Sequence, residues 1–317
     1  MTDTADPERP SPDQLVAGLV RLLTVEKRAA DIYQGAPQKD GFGRVFGGQV
    51  IAQALQAAQA SVPQIKTAHS LHAYFLRGGV EGPPIEYRIA RDFDGKSFAN
   101  RRVVAAQENE EGEAIPILNL TASFQVPEEG LEHCDAPMPQ VPAPDELKSD
   151  MEQRRALADM MGDKLNEAQR RIMLRPRAIE MRTVDRLHWM NSEPKEPRAH
   201  SWFRTAARVP AEADTPALHR ALIAYASDYT LLGTAALPHG LSWMRGELVG
   251  ASLDHAIWYH NQARADEWLL YVTDSPWTGG GRGFNRGRIF TAEGTLVASV
   301  AQEGMMRKRR RRTEATS

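Results

Sequence analysis

The 317-residue chain has a single cysteine, Cys134, so it can form no intrachain disulfide and build no cysteine-rich zinc site. It also lacks any run near the roughly 18 to 20 apolar residues that would span a bilayer. Met1 to Pro12 carries acids and prolines where a signal peptide needs a basic start and an apolar stretch. Ala315-Thr316-Ser317 is not a peroxisomal address. These absences point to a reducing, cytoplasmic compartment. A large net charge of either sign is missing too: 41 acids face 39 bases, and with 42% hydrophobic and 25% charged residues the composition is that of a soluble globular protein. That balance hides an asymmetry, because six of the bases are consecutive, from Arg307 to Arg312. Without them 33 bases face the 41 acids, so the body is acidic and offers no basic surface for nucleic acid. Residues 307–317 read as a solvated, disordered tail.

Several catalytic signatures are absent as well. No G-x-S-x-G nucleophile turn occurs. Gly41-Phe42-Gly43 with Gly47-Gly48 has the wrong spacing for a dinucleotide fingerprint, and Gly279-Gly280-Gly281-Arg282-Gly283 does not open a helix. His69 and His72 are three apart in an extended run and point to opposite faces, which disfavours a shared metal.

What is present is a pattern that occurs twice. Ser11-Pro12-Asp13 caps a short amphipathic helix. Gly47 to Ser61 then contains no charged residue, which predicts an enclosed helix rather than a surface one. Strand-like runs follow at 69–77, 85–93, 97–107 and 115–126, with Asp94-Gly95 marking a hairpin. Five prolines between Pro127 and Pro144 mark a linker or surface excursion, and a partly exposed helix is expected over 146–174. Strands resume at 179–185 and 201–209. Thr215-Pro216 then caps a second largely uncharged helix, with apolar residues at 218, 222, 225, 229 and 232, followed by strands at 252–260, 267–273, 284–291 and 295–307. His72-Ala73-Tyr74-Phe75 is echoed by His255-Ala256-Ile257-Trp258, so the unit reads as duplicated.

Between Ala221 and Leu237 the one charge is Asp228. A carboxylate in a buried helix is expensive to ionise unless donors meet it, and such groups are enriched in catalytic sites. The competing reading is an acid that caps a loop or faces a wet strip. In the strand that follows, alternation places Ser252 and Asp254 on one face and His255 on the other, so Asp254-His255 is not read as a catalytic dyad, and no histidine is read as a partner of Asp228. Gln302, in the last strand, can donate and accept at once, or serve as an ordinary sheet hydrogen bond.

Two sets of three motifs carry a family resemblance over about residues 12 to 306. In the first half they are Arg44-Val45-Phe46-Gly47-Gly48-Gln49, His69-Ser70-Leu71-His72-Ala73-Tyr74-Phe75-Leu76 and Asp94 to Arg102. In the second half they are Ala226-Ser227-Asp228-Tyr229, Ser252 to His260 and Ala301-Gln302-Glu303-Gly304. The chain resembles the type II acyl-CoA thioesterases. The resemblance implies an α+β double hot-dog fold, with two fused units that each wrap a sheet around a long helix. It divides the chain into 1–126, a linker 127–177, a unit 178–306 carrying the catalytic residues, and the tail. It implies that Asp228, Ser252 and Gln302 hold and activate a water that attacks the thioester of an acyl-CoA substrate, without metal or cofactor. Gly48, Gln49 and His69 become substrate-binding candidates, with Gly47-Gly48-Gln49 N–H groups stabilising the oxyanion. Arg77, Arg101, Arg102, Arg282 and Arg286 are unranked candidates for the CoA phosphates. Exposed sheet edges suggest a homo-oligomer. The alternatives are a non-catalytic acyl-CoA sensor and an enoyl-CoA hydratase on the same fold.

Overall fold

The computed structural model describes residues 10–37, 43–185, 193–241, 243 and 245–309. The uncharged stretch is helix α2 (Gly47–Ala60), and ten of its fourteen residues are buried. Val50, Ile51 and Leu55 each gain roughly 1.5–3 kcal/mol by burial, which exceeds the ~1 kcal/mol propensity cost of each of Gly47 and Gly48. Gln53 is satisfied internally: it donates to the Leu22 and Ala36 carbonyls and accepts from the Tyr87 hydroxyl. Helix α1 (Pro12–Leu23), with a Ser11–Gln14 capping box, packs its buried Val16, Leu19, Val20 and Leu23 into the same core.

Strands β4 (Ile85–Asp94), β5 (Phe98–Glu108) and β6 (Ala114–Gln125) form an antiparallel meander around α2, but β3 (Thr67–Phe75), expected to open that meander beside β4, instead pairs antiparallel with β6 at its far side. A hairpin of β1 (Val25–Ala29) and β2 (Ile32–Gly35) extends the β4 edge. In the second half, α5 (Pro216–Ser227) is followed by α6 (Leu231–Thr234). Strands β7 (Ile179–Thr183), β8 (Arg198–Thr205), β9 (Leu248–Ser252), β10 (Asp254–Tyr259), β11 (Leu269–Gly279), β12 (Arg282–Thr291) and β13 (Leu296–Lys308) complete the sheet. The strand order is β1-β2-β4-β5-β6-β3-β10-β13-β12-β11-β8-β7, with β9 also paired to β13. The two halves fuse where β3 meets β10 antiparallel, His255 opposite Ala73 and Ala256 opposite His72. Helices α2 and α5 pack against each other inside this continuous sheet.

The proline-rich segment is a surface excursion. It lies over the outer face of the second half, where Met138 and Val141 cover Trp202, Leu270 and Phe290, and Trp202 Nε1 donates to the Pro142 carbonyl at 2.9 Å.

Four further expectations are corrected. The helix expected over 146–174 is two, α3 (Asp150–Met161) and α4 (Glu167–Met173), because Gly162 turns to φ +49° and Asn166 caps a new start. The helix expected through Leu232 stops at Ser227, with Asp228 as its C-cap. The strand expected over 252–260 breaks at Leu253: Ser252 pairs with Gly304 and Ala256 with Ala301, so four steps on one strand face three on the other. The basic tail begins inside β13, and the Arg309 N–H donates to the Glu247 carbonyl. Residues 310–317, the rest of that tail, lie outside the described residues, as do residues 1–9.

Candidate active site

Because α5 ends at Ser227, the Asp228 side chain leaves the helix and meets the start of α2 from the other half. A Cβ on Gly47 would lie 2.7 Å from Asp228 Oδ2, so only glycine permits this approach. The Gly48 N–H faces the same carboxylate. Gln302 Nε2 reaches three acceptors: Asp228 Oδ1 at 2.7 Å, Ser252 Oγ at 3.0 Å and His255 Nδ1 at 3.1 Å. The reversed amide would set a carbonyl against the carboxylate, so chemistry fixes the orientation. Ser252 Oγ stands 3.5 Å from Asp228 Oδ1. Thus the three residues separated by 24 and 50 positions in sequence meet at one point.

Burial raises the Asp228 pKa from 3.8 to about 6, against the opposing hydrogen bonds from Gln302, Gly48 and Ser252. An acid with that pKa is mostly ionised at neutral pH and basic enough to take a proton.

The bulge at Leu253 changes which side chains share a face. It is held by the Asp254 carboxylate, which accepts the Glu303 N–H at 2.7 Å. One extra residue reverses the alternation, so Ser252 and His255 both turn inward, and His255 Nδ1 lies 4.0 Å from Asp228 Oδ1. The reading that no histidine stands beside Asp228 is therefore corrected. His255 is fully buried, and burial lowers its pKa to about 3, so it is neutral across the physiological range. Its Nδ1 accepts from Gln302, and its Nε2–H donates to Ser227 Oγ at 2.9 Å, which passes its own proton to the Ala224 carbonyl at 2.9 Å. With both nitrogens engaged, His255 orients the Gln302 amide. The Asp254 acid that stabilises the bulge was the one available signal for this arrangement.

A cavity of about 630 Å³ opens over the carboxylate, within the size range of small-molecule sites. Gly47 and Phe75 from the first half and Asp228 and Ser252 from the second line it, so the site exists only between the two units. Phe46, Val50, Leu232 and Trp243 make its walls largely apolar.

The remaining candidates separate. Gly47 lines the cavity, and the Gly48 N–H faces the Asp228 carboxylate. The Gln49 N–H donates to the Phe46 carbonyl and its buried side chain to the Ala36 carbonyl, away from the cavity. His69 is bonded to Ser123 Oγ at 2.8 Å and packs edge-on to Phe98. Six residue steps along β3, about 20 Å of strand, separate it from Phe75 and the cavity. Among the described residues no group of three His, Cys, Asp or Glu is placed to hold a metal ion. None of the described helices is long and apolar enough to cross a membrane.

Family models described as the acyl-CoA thioesterase N-terminal and C-terminal domains match residues 36–125 and 144–306. Acyl-CoA thioesterase 2 of Haemophilus influenzae is 35% identical over 293 residues, covering 92% of this chain and 98% of its own. Human acyl-coenzyme A thioesterase 8 is 36% identical over 312 residues, covering 96% and 92%. Among solved structures, an acyl-CoA thioesterase II from Mycobacterium marinum superimposes with a TM-score of 0.70 at 37% identity, over 91% of this chain and 98% of that one. A hot-dog-fold protein of unknown function from Alicyclobacillus acidocaldarius, at 16% identity and a TM-score of 0.69 over 92% and 99%, shares the fold.

Proposed function

The chain belongs to the acyl-CoA thioesterase family and is a thioester hydrolase; we propose that it cleaves fatty acyl-CoA by direct attack of a water held at Asp228, Ser252 and Gln302. The observation that carries this reading is the Gln302 amide, fully buried behind the cavity wall, which bridges the Asp228 carboxylate and the Ser252 hydroxyl that line the cavity. Asp228 accepts a proton from the water as the C–O bond forms. Ser252 and Gln302 restrict the water's orientation, which lowers the entropic part of the barrier. The developing oxyanion takes the Gly47 N–H at the first residue of α2, where the helix dipole also favours negative charge. Collapse breaks the C–S bond, and the proton held by Asp228 is available to the departing sulfur. The products are the free acid and CoA.

The hydratase alternative needs a histidine that delivers a proton to substrate. His255 is sealed between Ser227 and Gln302 outside the cavity lining, so it does not favour that reading. The compartment reading remains cytoplasmic, in keeping with the exposed, unpaired Cys134. The domain division and self-association also remain part of the proposal. Edge strand β1 carries Glu26, Lys27 and Arg28 and resists pairing, which leaves the exposed Tyr74 and Trp258 on the outer face for contact between copies. Light scattering during size exclusion reads that directly.

The test is thiol release from acyl-CoA of graded chain length. Wild type releases CoA, and Asp228→Ala loses at least about 100-fold. A folded Asp228→Ala with unchanged turnover overturns the mechanism, and absence of release from every chain length overturns the function.

A further inference from the structure

We propose that Arg44 and Arg77 form a two-guanidinium lip at the cavity mouth that binds the pyrophosphate of the CoA nucleotide. The inference rests on the acyl-CoA reading above and assigns the residues that recognise the substrate's charged end. Five arginines were open candidates from sequence, and the structure removes four. Arg101 is fully buried and pairs with Asp94 at 2.6 Å. Arg102 pairs with Asp92 at 3.1 Å, Arg282 with Glu303 at 2.9 Å and Arg286 with Asp274 at 2.8 Å. Each already has a carboxylate that a phosphate would have to displace.

Arg77 is different. It lines the cavity that holds Asp228, and the one hydrogen bond from its guanidinium to a described residue, from Nη1 to the Pro116 carbonyl at 3.1 Å, leaves the rest of the fork free. Arg44, which was not a candidate from sequence, lines the same cavity and has no ion pair among the described residues. Its guanidinium lies over Gly78, where a Cβ would be 3.5 Å from Nη1, so the two arginines approach one mouth. Glu81, the acid nearest in sequence to Arg77, accepts the Gly43 N–H at 3.0 Å.

Length and charge support the assignment. Arg44 precedes Gly47 by three residues, at most about 10 Å of chain, before its own side chain adds reach. The pantetheine arm between sulfur and pyrophosphate extends about 15 Å, so a thioester beside Asp228 delivers its phosphates to this lip. With 39 bases against 41 acids, the net charge of the whole chain supplies no long-range attraction for a polyanion. A polyanionic substrate then needs a local cationic contact, and guanidinium forks match phosphate geometry.

The experiment titrates CoA and, separately, pantetheine into wild type and the Arg44→Gln/Arg77→Gln double variant by calorimetry at low salt. Pantetheine lacks the nucleotide and its phosphates, so it reports the integrity of the rest of the site. Wild type is expected to prefer CoA, the preference is expected to fall about tenfold or more in the double variant, and added salt is expected to shrink it in wild type. A double variant that keeps the wild-type preference overturns the inference, as does parallel weakening of both ligands. Catalysis plays no part in this readout. Phosphate-dependent CoA binding without hydrolysis would overturn the proposed function while supporting the lip; hydrolysis with an unchanged preference would do the reverse.

Discussion

Replacing Asp228 by Asn should stabilise the fold, and only at a pH where the wild-type carboxyl is ionised. Burial raises this pKa from 3.8 to about 6, so the folded state prefers the protonated acid. Below about pH 3.8 the group is neutral in both folded and unfolded chains and contributes nothing. Between pH 3.8 and 6 the unfolded chain ionises first, and the folded state progressively loses stability relative to it. Above pH 6 the full cost is present: at 1.36 kcal/mol per pH unit it is about 3 kcal/mol. Asparagine keeps the size and one acceptor oxygen for Gln302 but cannot ionise. For 317 residues at about 2.1 cal/mol/K per residue, the expected rise in Tm is about 4 °C at pH 8, shrinking toward zero at pH 4. Scanning calorimetry of both proteins across that range measures it, with activity recorded in parallel. A gain independent of pH, or a loss at pH 8, would refute the claim that the ionised carboxylate is held at a cost to stability.

The same pKa predicts the rate profile: kcat/KM should rise about tenfold per pH unit below pH 6 and level off above it, and an acyl-CoA assay that finds a flat profile from pH 4.5 to 8 removes Asp228 as the base. His255→Ala should lower kcat by about tenfold or more with little change in KM, because the Gln302 amide loses its third partner. No second ionisation near pH 6 to 7 should appear in wild type, since His255 titrates at about 3; a histidine-like limb there contradicts its role as a neutral support. Gly48→Ala would place a Cβ 2.5 Å from the Tyr225 carbonyl of α5. It should push the two helices apart and lower Tm by several degrees, and an unchanged melt refutes that packing.

Both wrapped helices and most strands were legible because their signals were strong and local. Helix α2 announced itself by having no charge, and the β4–β5 hairpin by Asp94-Gly95. The β1–β2 hairpin was missed because Val25–Ala29 is mostly exposed and charged, and its turn uses Asp31 at φ +57° rather than a glycine. Asp228 stands out in the sequence as an isolated acid among apolar residues, whereas its position past the end of α5 does not. The apolar spacing continues through Tyr229, whose ring packs against Phe46 at 4.9 Å, so a tertiary contact reproduces the helical pattern outside a helix. His255 was assigned to the wrong face because strict alternation takes no account of a bulge, and this bulge depends on a contact 49 residues away between Asp254 and Glu303. Gln49 and His69 belong to the family motifs, and their positions show that a motif residue can serve the core and the sheet instead of the cavity.

Direct attack by water is best tested by a single turnover of acyl-CoA in ¹⁸O-labelled water with enzyme in excess. Mass spectrometry then follows both the released acid and the peptide that contains Asp228. If Asp228 acts as a base, the acid carries one heavy oxygen from the first turnover and the Asp228 peptide carries none. Label in Asp228 together with unlabelled first-turnover acid would mean that the carboxylate itself attacked the thioester, and would contradict the water mechanism.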